Sequence, residues 1–203
     1  MSYSKSILCV IAASSILAVQ QASASIIAVD LGTANPPTTL GGYTMTPYDP
    51  GSIDGASART VGYGWATWGQ GYTGTVYVSG GQTVTLNLSD GTKAVYFYEE
   101  PNQFNNFYMT ATDITGVSVT TLINGYYGSA GVGFYVDGLG SLKSISVTCT
   151  DPTGFAIGEF GINGGTISGT VRPVPEPASY FSGALVLCLT AFPYIRRRFF
   201  EKK

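Results

Sequence analysis

Histidine is absent from the whole chain of 203 residues, which removes the commonest general base and the commonest zinc ligand. A Ser-His-Asp or Cys-His hydrolase is therefore excluded. Three cysteines occur, Cys9, Cys149 and Cys188, and Cys149 alone lies in the central part of the sequence. Because residues 144–149 alternate polar with apolar side chains, we expect Cys149 to be a buried core thiol and not a nucleophile.

Carboxylates are the remaining side chains that could support acid–base chemistry or hold a cation. Glu99 and Glu100 are adjacent, so on a strand they point to opposite faces and cannot act as a pair. Glycoside hydrolysis needs two carboxyl groups about 5–9 Å apart, and no spacing in the sequence selects such a pair. The sequence predicts no catalytic residue, no cofactor and no metal site. A structural calcium ion stays open as an alternative, although no Asp-x-Asp-x-Asp loop occurs.

Aromatic residues cluster between positions 63 and 77, where they could either fill a core or stack on sugars: Tyr63, Trp65, Trp68, Tyr72 and Tyr77. The apolar C–H face of a pyranose matches a flat π surface. Trp65, Trp68 and Tyr72 are therefore candidate glycan contacts, and Trp68, next to Gly69-Gln70-Gly71, is the ring we expect to be most exposed. Core packing is the more frequent role of such rings.

The charge of the chain is distributed unevenly. Between Ser25 and Thr170 there are three basic residues, Arg59, Lys93 and Lys143, against ten acidic ones, which leaves a net charge of −7 in a chain whose total is −2. An acidic body repels phosphates, whose binding depends on Lys and Arg. We therefore expect no nucleic-acid partner.

Short apolar stretches recur between Ile26 and Ile167 at a spacing of about 10–12 residues, separated by glycine, proline, asparagine and aspartate. Residues 83–88 alternate threonine or asparagine with valine or leucine, as in a half-buried strand. Asp90-Gly91 and Asn124-Gly125 are turn sequences of the hairpin type. The pattern predicts an all-β fold, a β-sandwich or jelly-roll-like domain over residues 25–167, followed by a linker over 168–173.

The N-terminal residues 1–24 have the three parts of a secretory signal peptide. Lys5 supplies the positive charge, residues 7–19 are apolar, and Ala22-Ser23-Ala24 forms an A-x-A cleavage site. We predict cleavage after Ala24, so that the mature chain begins at Ser25 on the outer side of the membrane.

The C-terminal residues have a second ordered pattern. Val174, Pro175, Glu176 and Pro177 form a stiff extended segment, because each proline fixes its own φ and pushes the preceding residue away from the helical region. Residues 178–195 carry no charge, and about 18 residues make a helix of ~27 Å, close to the hydrocarbon thickness. Arg196, Arg197 and Arg198 follow, and such positive flanks stay in the cytoplasm. The pattern predicts a single transmembrane helix over 178–195 in a type I topology.

This order of a Pro-Glu-Pro motif, one span and a basic cluster closely resembles the PEP-CTERM sorting signal of Gram-negative bacteria, here over residues 174–200. The resemblance implies recognition by exosortase, a membrane-embedded cysteine transpeptidase, and cleavage near the motif. It also implies a transient stay in the inner membrane and delivery to the cell surface or the extracellular polysaccharide matrix. An unprocessed single-span anchor is the alternative. Segments 30–32, 38–47 and 158–162 loosely resemble the β-sandwich domains that precede this signal, which implies a fold and no chemistry.

Together these features predict a non-enzymatic, secreted surface or matrix protein sorted by exosortase. The alternative, from another functional class, is a carbohydrate-binding module that contacts extracellular polysaccharide through surface Trp and Tyr.

Overall fold

The computed structural model describes residues 25–81, 83–126 and 128–172, and this part of the chain is all-β, as predicted. The predicted signal peptide, sorting motif and transmembrane helix lie outside these ranges. The strands within them are β1 (Ser25–Gly32), β2 (Thr39–Leu40), β3 (Tyr43–Thr44), β4 (Thr46–Tyr48), β5 (Ser57–Val61), β6 (Gly64–Trp65), β7 (Thr75–Ser79), β8 (Thr83–Leu88), β9 (Ala94–Pro101), β10 (Asn106–Asp113), β11 (Ser118–Asn124), β12 (Ala130–Asp137), β13 (Ser144–Cys149), β14 (Phe155–Asn163) and β15 (Ile167–Arg172).

The strands form two large sheets. The eight-stranded sheet has the order β1-β12-β9-β14-β7-β5-β6, and β4 joins it beside β14. The five-stranded sheet has the order β11-β10-β13-β8-β15, while β2 and β3 pair separately. Nearly all pairings are antiparallel; the exception among the named strands is the short β5–β6 pair.

One hydrophobic core joins the two large sheets, which therefore pack face to face like the layers of a sandwich. Strand β8 places Val84, Leu86 and Leu88 in this core and turns its threonines and asparagine outward, as its alternation predicts. Cys149 also lies in the core and is 5% exposed, which confirms the prediction of a buried thiol.

The outer face of the eight-stranded sheet is covered as well. Tyr96 and Tyr98 on β9 point away from the main core and pack against residues of the β2–β3 region, including Leu40 and Met45. A third cluster joins Trp65 to Val76 and Ala156 on the same face. Strand β9 is consequently buried along its whole length, which a two-layer sandwich with one wet face would not require.

Two predictions about connections are wrong. The predicted linker over 168–173 falls on β15, which pairs with β8 from Ile167 to Arg172. Gly169 in this strand is buried against Ile53, so its small size serves packing and not chain flexibility. The turn sequences Asp90-Gly91 and Asn124-Gly125 do not close hairpins, because each joins a strand of the five-stranded sheet to one of the eight-stranded sheet. Within the described ranges no helix is long and apolar enough to cross a membrane.

Candidate functional site

Trp65 is buried, which corrects its assignment as a surface glycan contact. The ring is 8% exposed, and its indole Nε1–H donates to Oε2 of Glu100 at 2.6 Å. Thr67 donates its hydroxyl to Oε1 of the same carboxylate at 2.6 Å. Burial raises the pKa of Glu100 to about 7, although these two hydrogen bonds act in the opposite direction. Trp65, Thr67 and Glu100 together fasten the segment after β6 onto the outer face of β9.

Trp68 and Tyr72 lie half-buried beside a gap in the eight-stranded sheet. Strand β14 pairs with β7 up to Gly158 and with β4 from Phe160, and the bulge between them holds Glu159 at a φ of 50°. The Trp68 indole donates to Glu159 at 3.0 Å, and the Tyr72 hydroxyl donates to the Thr75 carbonyl at 2.9 Å.

A cavity of about 390 Å³ opens at this gap. Glu159 shares its wall with Asp49 and with several aromatic and proline side chains: Pro36, Pro47, Tyr48, Tyr72, Tyr96 and Phe160. Burial raises the pKa of Glu159, and the hydrogen bond from Trp68 partly offsets this. The polar groups of Trp68 and Tyr72 are therefore engaged inside the fold, and both side chains are half-buried.

Glu99 lies on the opposite face of β9 from Glu100, as the alternation predicts, and points into the core between the sheets. It is fully buried, and among the described residues neither carboxylate oxygen has a hydrogen-bond partner. Burial, with a smaller contribution from the charge of Asp30, raises the pKa of Glu99 to about 8. A buried carboxyl of this kind is held in its neutral form at neutral pH.

The thiol of Cys149 and the carboxylate of Asp151 are both buried within the fold. Burial raises the pKa of Cys149 to about 12, so the thiolate that a nucleophile needs is disfavoured. No group of three or more metal-ligating side chains occurs within the described ranges. The carboxylate of Asp151 is fully buried and accepts hydrogen bonds from the backbone N–H groups of Gln103 at 2.7 Å and Thr153 at 2.8 Å.

An exposed row of side chains runs along the outer face of β10 and β11, where the sequence indicated no site. The antiparallel register pairs Asn106 with Asn124, Tyr108 with Leu122, Thr110 with Thr120 and Thr112 with Ser118. Two residues beyond the first pair, Phe104 and Tyr126 stack with ring centroids 5.5 Å apart and planes inclined by 29°. We call these four cross-strand pairs, together with the stacked pair in the adjoining loops, the aromatic strip. Its large apolar residues are about half exposed: Phe104 50%, Tyr108 55%, Leu122 54% and Tyr126 62%.

The backbone beneath the stacked pair is tightly held. Gly125 N–H donates to the Asn105 carbonyl at 3.0 Å, and a Cβ at Gly125 would come within 2.5 Å of the Gln103 carbonyl oxygen. The Asn124 side chain accepts from the N–H of Tyr126 at 3.0 Å. Asp151 fixes the N–H of Gln103 from the other side. The two loops that carry the rings are therefore packed backbone to backbone, which fixes the position of the pair.

Phe104 also borders a second cavity, of about 270 Å³. Thr67 and Asn102 supply polar groups to its wall, and Trp65 and Pro101 supply apolar ones. The hydroxyl of Thr67 contacts both Glu100 and the Gly125 carbonyl, at 2.6 and 3.5 Å. One chain of contacts thus links the buried Trp65–Glu100 pair to the exposed stacked rings.

The density of aromatic residues in the sequence indicates the cluster 63–77, in which Tyr63 and not Trp68 is the most exposed ring, and it does not indicate the exposed Phe104, Tyr108 and Tyr126. Phe104 and Tyr126 are isolated in loops rich in asparagine, and only the register of β10 with β11 brings them together. The remaining predicted site residues, Ala22 and Ala24, Val174 to Pro177 and Arg196 to Arg198, lie outside the described ranges. Comparison with family models, with curated proteins and with solved structures finds no match for this chain.

Proposed function

We propose that this chain is a non-enzymatic exported protein of the cell surface or extracellular matrix. Its C-terminal tail acts as a PEP-CTERM-type sorting signal, which exosortase recognises while the inner membrane holds the chain transiently. The observation that carries the proposal is the order of four features in one sequence: a leader ending in Ala22-Ser23-Ala24, the motif 174–177, the apolar stretch 178–195 and the cluster Arg196 to Arg198. A jelly-roll-like sandwich is the finer fold we propose for the exported body.

The chemistry of the described body supports a binding or structural role. Several of its carboxylates are used internally: the buried Glu100 and the half-buried Glu159 accept from tryptophan, and the buried Asp151 accepts from backbone N–H groups. Glu99 points into the core, away from Glu100. The chain has no histidine that could replace these groups as a general base.

The sorting proposal is tested by Glu176→Ala in the full chain. Exosortase would no longer recognise the motif, so the variant should accumulate in the inner-membrane fraction while the wild type reaches the cell surface. Ser168→Ala is the matched control, because this exposed residue on β15 precedes the motif. Cell fractionation with immunoblotting measures the distribution, and a Glu176→Ala variant that reaches the surface at the wild-type level contradicts the proposal.

Carbohydrate binding is the second candidate function, and the exposed rings of Phe104, Tyr108 and Tyr126 favour it. Of the residues first assigned to it, Trp65 is buried, whereas Trp68 and Tyr72 are half-buried and their polar groups are engaged inside the fold.

A further inference from the structure

We propose that the aromatic strip on β10 and β11 binds an extended, uncharged polysaccharide chain. The inference rests on the proposed function only for the place where the protein would meet such a polymer. The residues that would contact it are the stacked Phe104 and Tyr126, then Asn106 and Asn124, then Tyr108 and Leu122.

Phe104 and Tyr126 are exposed, although other aromatic side chains of this fold are fully buried. Tyr77, Tyr98, Phe97 and Phe134 are fully buried, whereas Phe104 and Tyr126 present about half of their surface to solvent on a fixed backbone. Rigid exposed rings give large contact area at a low entropic cost, because the side chains have only two rotatable angles to order. Their flat faces match the C–H face of a pyranose.

The spacing of the rings selects a chain over a single sugar. Tyr108 and Leu122 lie two residues from the asparagine pair along their strands, or about 7 Å, and the stacked rings lie beyond that pair in the adjoining loops. A single pyranose ring placed on the stacked pair would therefore leave Tyr108 and Leu122 without a sugar to contact. An extended oligosaccharide or polysaccharide lying along β10 contacts both pairs, with the asparagine pair between them as hydrogen-bond donors and acceptors.

The charges select a neutral polymer. The strip contains no Asp, Glu, Lys or Arg, and beyond the rings it continues with hydroxyls: Thr110, Thr112, Ser118 and Thr120. Residues 25–170 have a net charge of −7, so a polymer of uronic acids or phosphates would be repelled and would find no cation on the strip. A second copy of the chain is a poorer occupant, because the centres of protein interfaces are more apolar than this mixture of amides and hydroxyls.

Affinity electrophoresis of the full chain, kept in a detergent without a sugar headgroup, tests the proposal. The gels contain dextran, mixed-linkage β-glucan or galactomannan as neutral polymers, and alginate as the acidic one. We expect retardation by at least one neutral polymer and none by alginate. Oligosaccharides of that polymer should compete, and its monosaccharide should not.

Substitutions locate the site. Tyr126→Ala and Tyr108→Ala should each weaken binding by about tenfold or more, as expected when one stacking ring is removed. Tyr63→Ala is the control, since Tyr63 is 86% exposed but lies in the turn between β5 and β6. Unchanged circular dichroism and melting temperatures establish that the variants are folded.

Three results would overturn the inference: no retardation by any of the neutral polymers, binding that is lost equally in Tyr63→Ala, or preferred binding of alginate. A dimer that Tyr126→Ala dissociates, measured by light scattering, would show instead that the strip joins two copies. Failure of the sorting proposal would give a different result. A chain that stays in the membrane but still binds a neutral polymer would contradict sorting by exosortase and would still support binding at the aromatic strip.

Discussion

Three glutamates on two neighbouring strands, two of them buried and one half-buried, meet three different environments. Glu99 points into the core without a described partner, Glu100 accepts from Trp65 and Thr67, and Glu159 accepts from Trp68 at a strained bulge. The sequence predicts that Glu99 and Glu100 face opposite ways, because side chains alternate along a strand. It does not predict that both faces are buried, since this depends on the segments that cover the outer face of β9.

Glu99 should make the protein less stable as the pH rises. Its pKa is about 8 in the folded protein and near 4.5 in the unfolded chain, so the folded state holds a proton that the unfolded state releases between these values. The free energy of unfolding should therefore fall from about pH 5 to about pH 8 and level off above this range.

The Glu99→Gln variant should reduce this fall by on the order of 5 kcal/mol, the value that corresponds to the difference between the two pKa values. Urea unfolding at several pH values gives the free energies, and Asp137→Asn, at an exposed position, should retain the full dependence. If the free energy of unfolding of Glu99→Gln depended on pH as it does in the wild type, the raised pKa of Glu99 would be contradicted.

Trp65 should report the ionisation of Glu100. The chain has two tryptophans, so Trp68→Phe leaves Trp65 as the single indole. Its N–H donates to a carboxyl whose pKa is about 7, and an ionised acceptor changes the emission of the ring. The fluorescence should titrate near neutral pH, and adding Glu100→Gln should abolish the transition; a titration that persists would show that another group is responsible.

On the outer face of the eight-stranded sheet, tyrosine rings of one strand lie over glycines of the neighbouring strands. Tyr96 lies opposite Gly161, and Tyr98 lies opposite Gly131, so that each ring covers a glycine of the neighbouring strand. A Cβ at Gly161 would come within 2.1 Å of the Tyr96 ring, and one at Gly131 within 2.6 Å of Tyr98. The high glycine content of the chain is thus explained in part by the space that these rings occupy.

Gly161→Ala should therefore destabilise the fold by about 1–3 kcal/mol, because the Tyr96 ring must shift in a packed layer. Gly80→Ala is a matched control, since a Cβ there meets no atom within 4 Å, and it should change stability by less than about 0.5 kcal/mol. Thermal unfolding of both variants measures the difference. Equal melting temperatures would mean that the ring moves freely and that the layer is loosely packed.

The alternation of single strands could be predicted, and the connections between them could not. Residues 83–88 and 144–149 alternate because one of their faces is wet, and both form strands as expected. Residues 168–172 contain Gly and Thr in a pattern that resembles a linker, yet the neighbouring β8 supplies a complete set of backbone partners. Asn124-Gly125 has hairpin composition, but the tight approach of Gly125 to Gln103 serves a crossover between the sheets.

Under the proposed function, the whole molecule consists of terminal segments that direct export and sorting and of a central body that is delivered. The acidic body has a closed core between its two large sheets, buried carboxylates and one exposed uncharged strip. The basic residues near the C-terminus lie beyond an apolar stretch, as a stop-transfer element requires. The exposed strip could not be predicted from the sequence, because the Phe104–Tyr126 pair exists only once β10 and β11 are in register.

The proposed export and sorting can be tested by measuring the intact mass of the protein recovered from the cell surface. We expect a chain that begins at Ser25 and ends between Val174 and Pro177, so that neither the leader nor the tail remains. High-resolution mass spectrometry of the surface fraction resolves these ends to the residue. Recovery of a surface form that still carries Arg196, Arg197 and Arg198 would contradict the proposed sorting and would identify the tail as a permanent anchor.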